Sequence, residues 1–241
     1  MTNRPKFPMI IAHRGASAYA PENTMAAFKK ALLLGAEWVE FDVRLTQDEE
    51  LVILHDETLD RTTDGTGRVE EHTWDEIRQF DAGSWFSDHF VGEKVPHFSE
   101  VLAFLKSHHL CANVEMKSSE GACRSIARET VSLLNQSGIH QNTILLSSFE
   151  FDSLQYTREE SKDIAIGMLF EELPEDWYSK AELIKPVSIH LNEEYVTSEV
   201  VSEICSKGFQ VFVYTVNDAK RAHQLLTMGV SSLFSNYPDL I

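Results

Sequence analysis

The sequence predicts an α/β protein of the TIM barrel class, a closed (β/α)8 barrel, on three observations. Short β-branched apolar runs alternate with amphipathic segments almost from end to end, the rhythm of a parallel sheet whose strands are joined by crossover helices. Eight such units within 241 residues match a closed barrel better than an open doubly wound sheet. No GxGxxG turn follows any of the runs, so the usual signature of a dinucleotide-binding open sheet is missing.

The strands are expected over Met9–Ala12, Trp38–Leu45, Cys111–Met116, Thr143–Ser147, Ile164–Phe170, Val187–Leu191, Phe209–Val216 and Val230–Phe234. Helical spacing is clearest where Phe28, Ala31 and Leu32 precede Gly35, where Ile126, Thr130, Leu133 and Leu134 precede Gly138, and where Ala222, Leu225 and Leu226 precede Gly229. Each glycine stands where a helix would end in a left-handed residue. One stretch breaks the rhythm. Thr58–Pro96 carries Gly65, Gly67, Gly83 and Gly92, with one short helical piece around Thr73–Phe80. It reads as an insertion between the second strand and its helix. Insertions on that side of a barrel lie beside the active site, so this one is expected to shape a substrate pocket. The competing reading is an excursion with its own small core of Trp74, Ile77, Phe80, Trp85 and Phe86. The chain, residues 1–241, is expected to form one barrel domain, without internal repeat, low-complexity tract or linker.

Charge narrows the partners. Twenty-one Lys and Arg against 38 Asp and Glu leave a net charge of −17, which repels nucleic-acid phosphates and anionic membranes alike. The longest apolar run near the N-terminus is Met9–Ala12, far short of the roughly 20 residues that span a bilayer. A cytoplasmic protein without stable membrane association is expected, and a homo-oligomer is compatible with the sequence. Cys111, Cys123 and Cys205 are widely spaced and form no metal-binding cluster, so they are read as small buried apolar residues.

The chemistry-bearing residues lie at strand ends. Side chains alternate along a strand, so Glu40, Asp42 and Arg44 share one face while Val39, Phe41 and Val43 share the other. The apolar face must meet the helices, which turns Glu40 and Asp42 into the barrel. In the strand Cys111–Met116, Val114 and Met116 point outward, and Asn113, Glu115 and Lys117 point inward. Desolvating carboxylates at such positions is costly. Glu40, Asp42 and Glu115 together supply hard oxygen ligands suited to one divalent cation, Mg2+ or Ca2+. The alternative is internal ion pairing with Arg44, Arg14 and Lys117. His13 closes the first strand and His55 follows the segment Leu51–Leu54; an imidazole in each place supplies an acid and a base near neutral pH. Arg14 and Lys117 beside a metal suit an anion, and phosphate esters above all. His72, His89, His108, His109, His140 and His223 are read as solvated, and His190 as a weak candidate for lining the pocket. Asp48-Glu49-Glu50 and Glu171-Glu172 read as solvated turns. Trp85, Phe86, Phe149 and Tyr214 are either walls of the site or core.

These residues sit in longer motifs. The run IAHRGASAYAPENTMAAFKKALLLGAEWVEFDVRLTQDEELVILHDETLDRTTDGTGRV resembles the signature of the glycerophosphodiester phosphodiesterase family, bacterial cytoplasmic type. VPHFSEVL, NVEMK, LLSSF, VYTVN and SNYPDL resemble its later motifs, in order and over essentially the whole chain. The resemblance implies a TIM barrel that hydrolyses deacylated phospholipids, such as glycerophosphocholine and glycerophosphoethanolamine, to glycerol 3-phosphate and the free alcohol. It implies metal ligation by Glu40, Asp42 and Glu115, acid and base roles for His13 and His55, and phosphate binding by Arg14 and Lys117. Three positions depart from the family pattern: His97 where threonine is common, Tyr214 where tryptophan is common, and Asn236 where aspartate is common. None is expected to touch the metal or acid/base set, so substrate preference rather than reaction is affected. A lysophospholipase D or sphingomyelinase D-like enzyme on the same fold would need an exposed apolar rim. A non-catalytic glycerophosphodiester-binding barrel would have lost a histidine or a ligand carboxylate, and all are present.

Overall fold

The computed structural model describes residues 5–240, so the two ends of the expected span 1–241 lie outside the described residues. Nine strands form, β1 (Ile10–Ala12), β2 (Trp38–Leu45), β3 (Leu51–Ile53), β4 (Cys111–Met116), β5 (Ile144–Ser148), β6 (Ala165–Phe170), β7 (Ser188–Asn192), β8 (Gln210–Tyr214) and β9 (Ser232–Ser235). The helices are α1 (Met25–Leu33), α2 (Trp74–Ile77), α3 (Phe98–His108), α4 (Cys123–Ser137), α5 (Phe151–Glu160), α6 (Trp177–Ile184), α7 (Ser198–Ser206) and α8 (Ala219–Thr227). Eight strands run parallel in the order β1-β9-β8-β7-β6-β5-β4-β2, and pairing of β1 with β2 closes them into the predicted barrel. The ninth, β3, adds antiparallel to β2. Its three residues are too short to show alternation, so sequence offered only a segment after the second strand.

Alternation sorts β2 as expected. Phe41 faces outward, 5.4 Å from the Phe28 ring on α1 and 6.1 Å from Phe98 at the start of α3. The inward residues divide into two layers. Near the strand starts, Ile11, Trp38, Leu145, Ala165, Phe212 and Phe234 fill the barrel with apolar volume. Above them the polar side chains collect. Three helices stop where glycine predicts, with positive φ at Gly35 (84°), Gly138 (63°) and Gly229 (101°). Two others end on left-handed His109 and Lys185, which no glycine announces.

The insertion follows β3 and precedes α3. It has a satellite core of Val52, Leu54, Leu59, Val69, Ile77, Ala82 and Val95, with Trp74 and Phe80 packed on it. Trp85 and Phe86 do not belong to that core; they meet edge to face, ring centroids 5.6 Å apart. Among the described residues no helix is long and apolar enough to cross a membrane.

Candidate active site

The parallel register brings the acidic residues together. Asp42 on β2 lies directly beside Glu115 on β4, and Glu40 one inward position below lies beside Asn113. The loop after β1 turns back sharply over them. Arg14 adopts φ 53° and Gly15 φ 78°; a side chain at Gly15 would press its Cβ to 2.7 Å from Ala27 Cβ. This turn is costly for a non-glycine residue such as Arg14. It aims the Arg14 backbone N–H at Glu40 Oε2, 2.8 Å away, and sends the guanidinium to 3.5 Å from Asp42 Oδ2. Asn23 Nδ2 donates to that same oxygen at 2.8 Å.

Carboxylate oxygens from Glu40, Asp42 and Glu115 lie within 4.8 Å of one another, and all three residues are buried. Lys117 Nζ stands 2.5 Å from Glu115 Oε1 and 3.6 Å from Asp42 Oδ1. The internal ion pairing weighed from sequence is thus realised by two of its three cations, Arg14 and Lys117. Arg44 instead donates to the His55 carbonyl at 2.8 Å. Two cations leave three carboxylates short of one charge. Burial, then the neighbouring Asp42 and Glu115, pushes the Glu40 carboxyl well above its usual range. Burial also raises Glu115, against the pull of Lys117. For Asp42, burial is outweighed by Lys117, Arg14 and His55, and its carboxyl is held low. Glu40 Oε1 is buried with no partner, Asp42 Oδ1 has nothing nearer than Lys117 Nζ at 3.6 Å, and Glu115 Oε1 is met by Lys117 alone. Unpartnered hard oxygens around a charge deficit are what a divalent cation satisfies, so the donor set fits one Mg2+ or Ca2+.

The histidines flank this cluster, and each is held by its Nδ1. His13 Nδ1 lies 2.7 Å from Asn236 Oδ1, and His55 Nδ1 lies 2.7 Å from Asp56 Oδ1. An oxygen acceptor at Nδ1 assigns the hydrogen there and leaves Nε2 as the lone-pair nitrogen when the ring is neutral and as the proton-bearing one that faces the cavity when it is charged. His13 Nε2 is 3.9 Å from Glu40 Oε2. Burial, then Arg14, lowers the His13 pKa to about 4. Burial also lowers His55, with Asp42 opposing.

A cavity of about 220 Å³ opens at the carboxyl ends of the strands, where barrel enzymes carry their sites. His13, Arg14, Glu40, His55, Glu115 and Lys117 line it, and Asp42 lies beneath. All seven residues expected from sequence therefore meet in one place. Several lesser expectations change. Glu171 lines the cavity, accepts from the Tyr214 hydroxyl at 3.1 Å and from Asn192 Nδ2 at 3.1 Å, and is no free turn. Phe149 and Tyr214 are walls, edge to face at 5.9 Å. No residue of the 58–96 insertion lines the cavity, so the insertion does not shape the pocket directly. Asn236 was expected away from the acid/base set, yet it is the partner of His13; the chain's last strand end returns beside the first, a closure that no local pattern reveals. His97 caps α3; its ring bonds Ser99 and Glu50 and lies 5.2 Å from the Trp74 ring, away from the cavity. Glu22, Asn23 and Asp56 were also missed; the polar pair Glu22-Asn23 just before the cap residue Thr24 is the only local signal.

His190 forms part of the floor and is fully buried. Its ring stacks on Phe212 at 4.9 Å, its Nε2 pairs with Ser188 Oγ at 2.8 Å, and Gly167 leaves room for it. Burial lowers its pKa from 6.5 to about 3. The unfolded chain therefore binds this proton between those values and the folded chain does not. Stability supplied by neutral His190 is whole above pH 6.5 and falls by about 1.4 kcal/mol per pH unit as pH drops toward 3. Denaturant midpoints of wild type and His190→Gln should converge between about pH 7 and pH 4.5; parallel pH slopes would refute the assignment.

Comparison with known proteins agrees with this geometry. Residues 13–240 match the model of the glycerophosphoryl diester phosphodiesterase family. A glycerophosphodiester phosphodiesterase of Caldanaerobacter subterraneus is 33% identical over 234 residues, covering 97% of this chain and 96% of that protein. Among solved structures, an Oleispira antarctica phosphodiesterase in complex with the product sn-glycerol-3-phosphate superposes with a TM-score of 0.94. It is 34% identical, covering 96% of this chain and 94% of that one. A glycerophosphodiester phosphodiesterase of Agrobacterium tumefaciens gives a TM-score of 0.81 at 29% identity, covering 97% of this chain and 98% of that one. With the family model spanning nearly the whole chain, and the barrel and its acidic site in place, this protein belongs to the glycerophosphoryl diester phosphodiesterase family.

Proposed function

We propose that the chain hydrolyses glycerophosphodiesters such as glycerophosphocholine and glycerophosphoethanolamine to sn-glycerol 3-phosphate and an alcohol. The observation that carries this reading is three buried, under-compensated carboxylates in one cavity with two histidines and two cations. Glu40, Asp42 and Glu115 would hold one divalent cation, Mg2+ or Ca2+, which when bound supplies Lewis acidity toward a phosphate oxygen and a template for the glycerol hydroxyls. Arg14 and Lys117 hold the non-bridging phosphate oxygens and stabilise the charge that builds on them. The two histidines differ in what stands behind them. His13 leans on the neutral amide of Asn236, and burial keeps its ring neutral, so its Nε2 lone pair is available as the base. His55 leans on the Asp56 carboxylate, which stabilises an imidazolium. His13 Nε2 accepts the proton of the attacking water, and His55, entering as the imidazolium, delivers its Nε2 proton to the departing alcohol. Attack by the adjacent glycerol hydroxyl instead gives a cyclic phosphate, which a water then opens to glycerol 3-phosphate with the two proton transfers reversed. The P–O bond to the alcohol breaks as the new one forms, and the two imidazoles have moved one proton each. The acidic surface favours a small soluble diester over a lipid in an anionic bilayer, and a cytoplasmic setting.

The test is glycerol 3-phosphate release from glycerophosphocholine by purified protein, with and without a chelator. Release that chelation stops and either cation restores is expected. Turnover unaffected by chelation would remove the metal from the mechanism. Choline release from lysophosphatidylcholine, with no turnover of any glycerophosphodiester, would replace the substrate class.

A further inference from the structure

The insertion lines none of the cavity, yet it sends one side chain to the edge of the site. Arg61 Nη1 and Nη2 donate to Glu22 Oε2 and Oε1, each at 2.8 Å. Its Nε and Nη2 donate to Asp56 Oδ2 at 2.7 Å and Oδ1 at 2.9 Å. Glu22 then accepts from Arg14 Nη1 at 2.7 Å, and Asp56 holds His55 Nδ1 at 2.7 Å. One guanidinium thus stands between two carboxylates, and each carboxylate holds a group from a different loop: Arg14 after β1, His55 after β3.

We propose that Arg61 is a positioning residue that sets Arg14 and His55 against each other and so couples the insertion to turnover. This rests on the functional reading above. Neither Arg61 nor its two carboxylates lines the cavity, so the effect passes through Arg14 and His55 and not through substrate contact. The chemistry favours a guanidinium for this task. Its planar fork uses one edge on each carboxylate, whereas a lysine ammonium is a point donor that cannot grip both. Hydrogen bonds from Arg61, reinforced by Arg14, hold Glu22 ionised against its burial, and those from Arg61 do the same for Asp56. Without the cation between them the two anions repel, and the loops they anchor are free to part. Arg61 is 45% exposed, so its ion pairs add little to global stability. Its effect is expected on reaction geometry, where a misplacement of about 1 Å can cost 10²-fold in rate.

The experiment compares wild type, Arg61→Ala and Arg61→Lys on glycerophosphocholine at saturating cation. Both variants are expected to lose about 30–100-fold in kcat, more than they change in KM, with melting temperatures near wild type. Added methylguanidinium should restore several-fold of the lost kcat in Arg61→Ala and none in His55→Ala. Three outcomes overturn the proposal: kcat within about threefold of wild type in Arg61→Ala, full activity in Arg61→Lys, or loss that follows the unfolded fraction and resists guanidinium. An inactive wild type overturns this proposal and the functional reading together; an active wild type with an equally active Arg61→Ala overturns this one alone.

Discussion

Replacing His55 by alanine is expected to lower kcat for glycerophosphocholine by about 10²–10⁴-fold, with a much smaller change in KM. The ring borders the cavity and is held by Asp56 at one nitrogen. Its removal leaves the three carboxylates, Arg14 and Lys117 in place, so substrate is still gripped while the proton for the leaving oxygen is lost. The choice between acid and base can be read from leaving-group dependence. A diester that releases p-nitrophenolate needs no protonation, so His55→Ala should recover most of its lost rate on that substrate. His13→Ala, lacking the base, should stay impaired on both substrates. The reverse pattern would exchange the two roles, and equal recovery in both variants would sink the assignment of distinct roles.

Glu40→Gln is expected to abolish most turnover and, at the same time, to stabilise the metal-free protein. Glu40 is the carboxyl with the most reason to give up its charge, because burial and two neighbouring acids oppose its ionisation. An amide of the same shape removes that repulsion, so the metal-free melting temperature should rise by a few degrees. The cation contribution runs the other way. Wild type should gain stability on adding Mg2+ or Ca2+, by about 2.7 kcal/mol at a hundredfold excess over Kd, and Glu40→Gln should gain far less. Activity should fall by several kcal/mol of lost transition-state stabilisation, on the order of 10³-fold. An unchanged cation-induced melting shift in Glu40→Gln would remove Glu40 from the ligand set, and no shift in wild type would leave the cluster to Arg14 and Lys117 alone.

How far the site was legible depends on the range of the interaction that makes it. Strand alternation is local, so the inward turn of Glu40, Asp42 and Glu115 could be read from spacing, and all three meet in the barrel. Strand ends are local as well, which placed His13, Arg14, His55 and Lys117 at the rim. The supporting shell is not local. Asn236 reaches His13 only because β9 closes against β1. Arg61 reaches Glu22 only because the insertion folds back on its satellite core. The run Glu171-Glu172 looks like any solvated turn until β8 delivers the Tyr214 hydroxyl to Glu171. The insertion was expected to shape the pocket; it lines none of it and reaches the site's edge only through Arg61.

The sequence by itself determined the (β/α)8 class, the inward carboxylates, and the histidines and cations at strand ends, because periodicity of two and the placement of strand ends are properties of the chain alone. Only the tertiary structure decided which partner each of these groups has. Asp56 and Glu22 lie near His55 and Arg14 along the chain, but Asn236 is brought to His13 by barrel closure and Arg61 to Glu22 by the packing of the insertion. Such long-range pairing leaves no periodic trace along the chain.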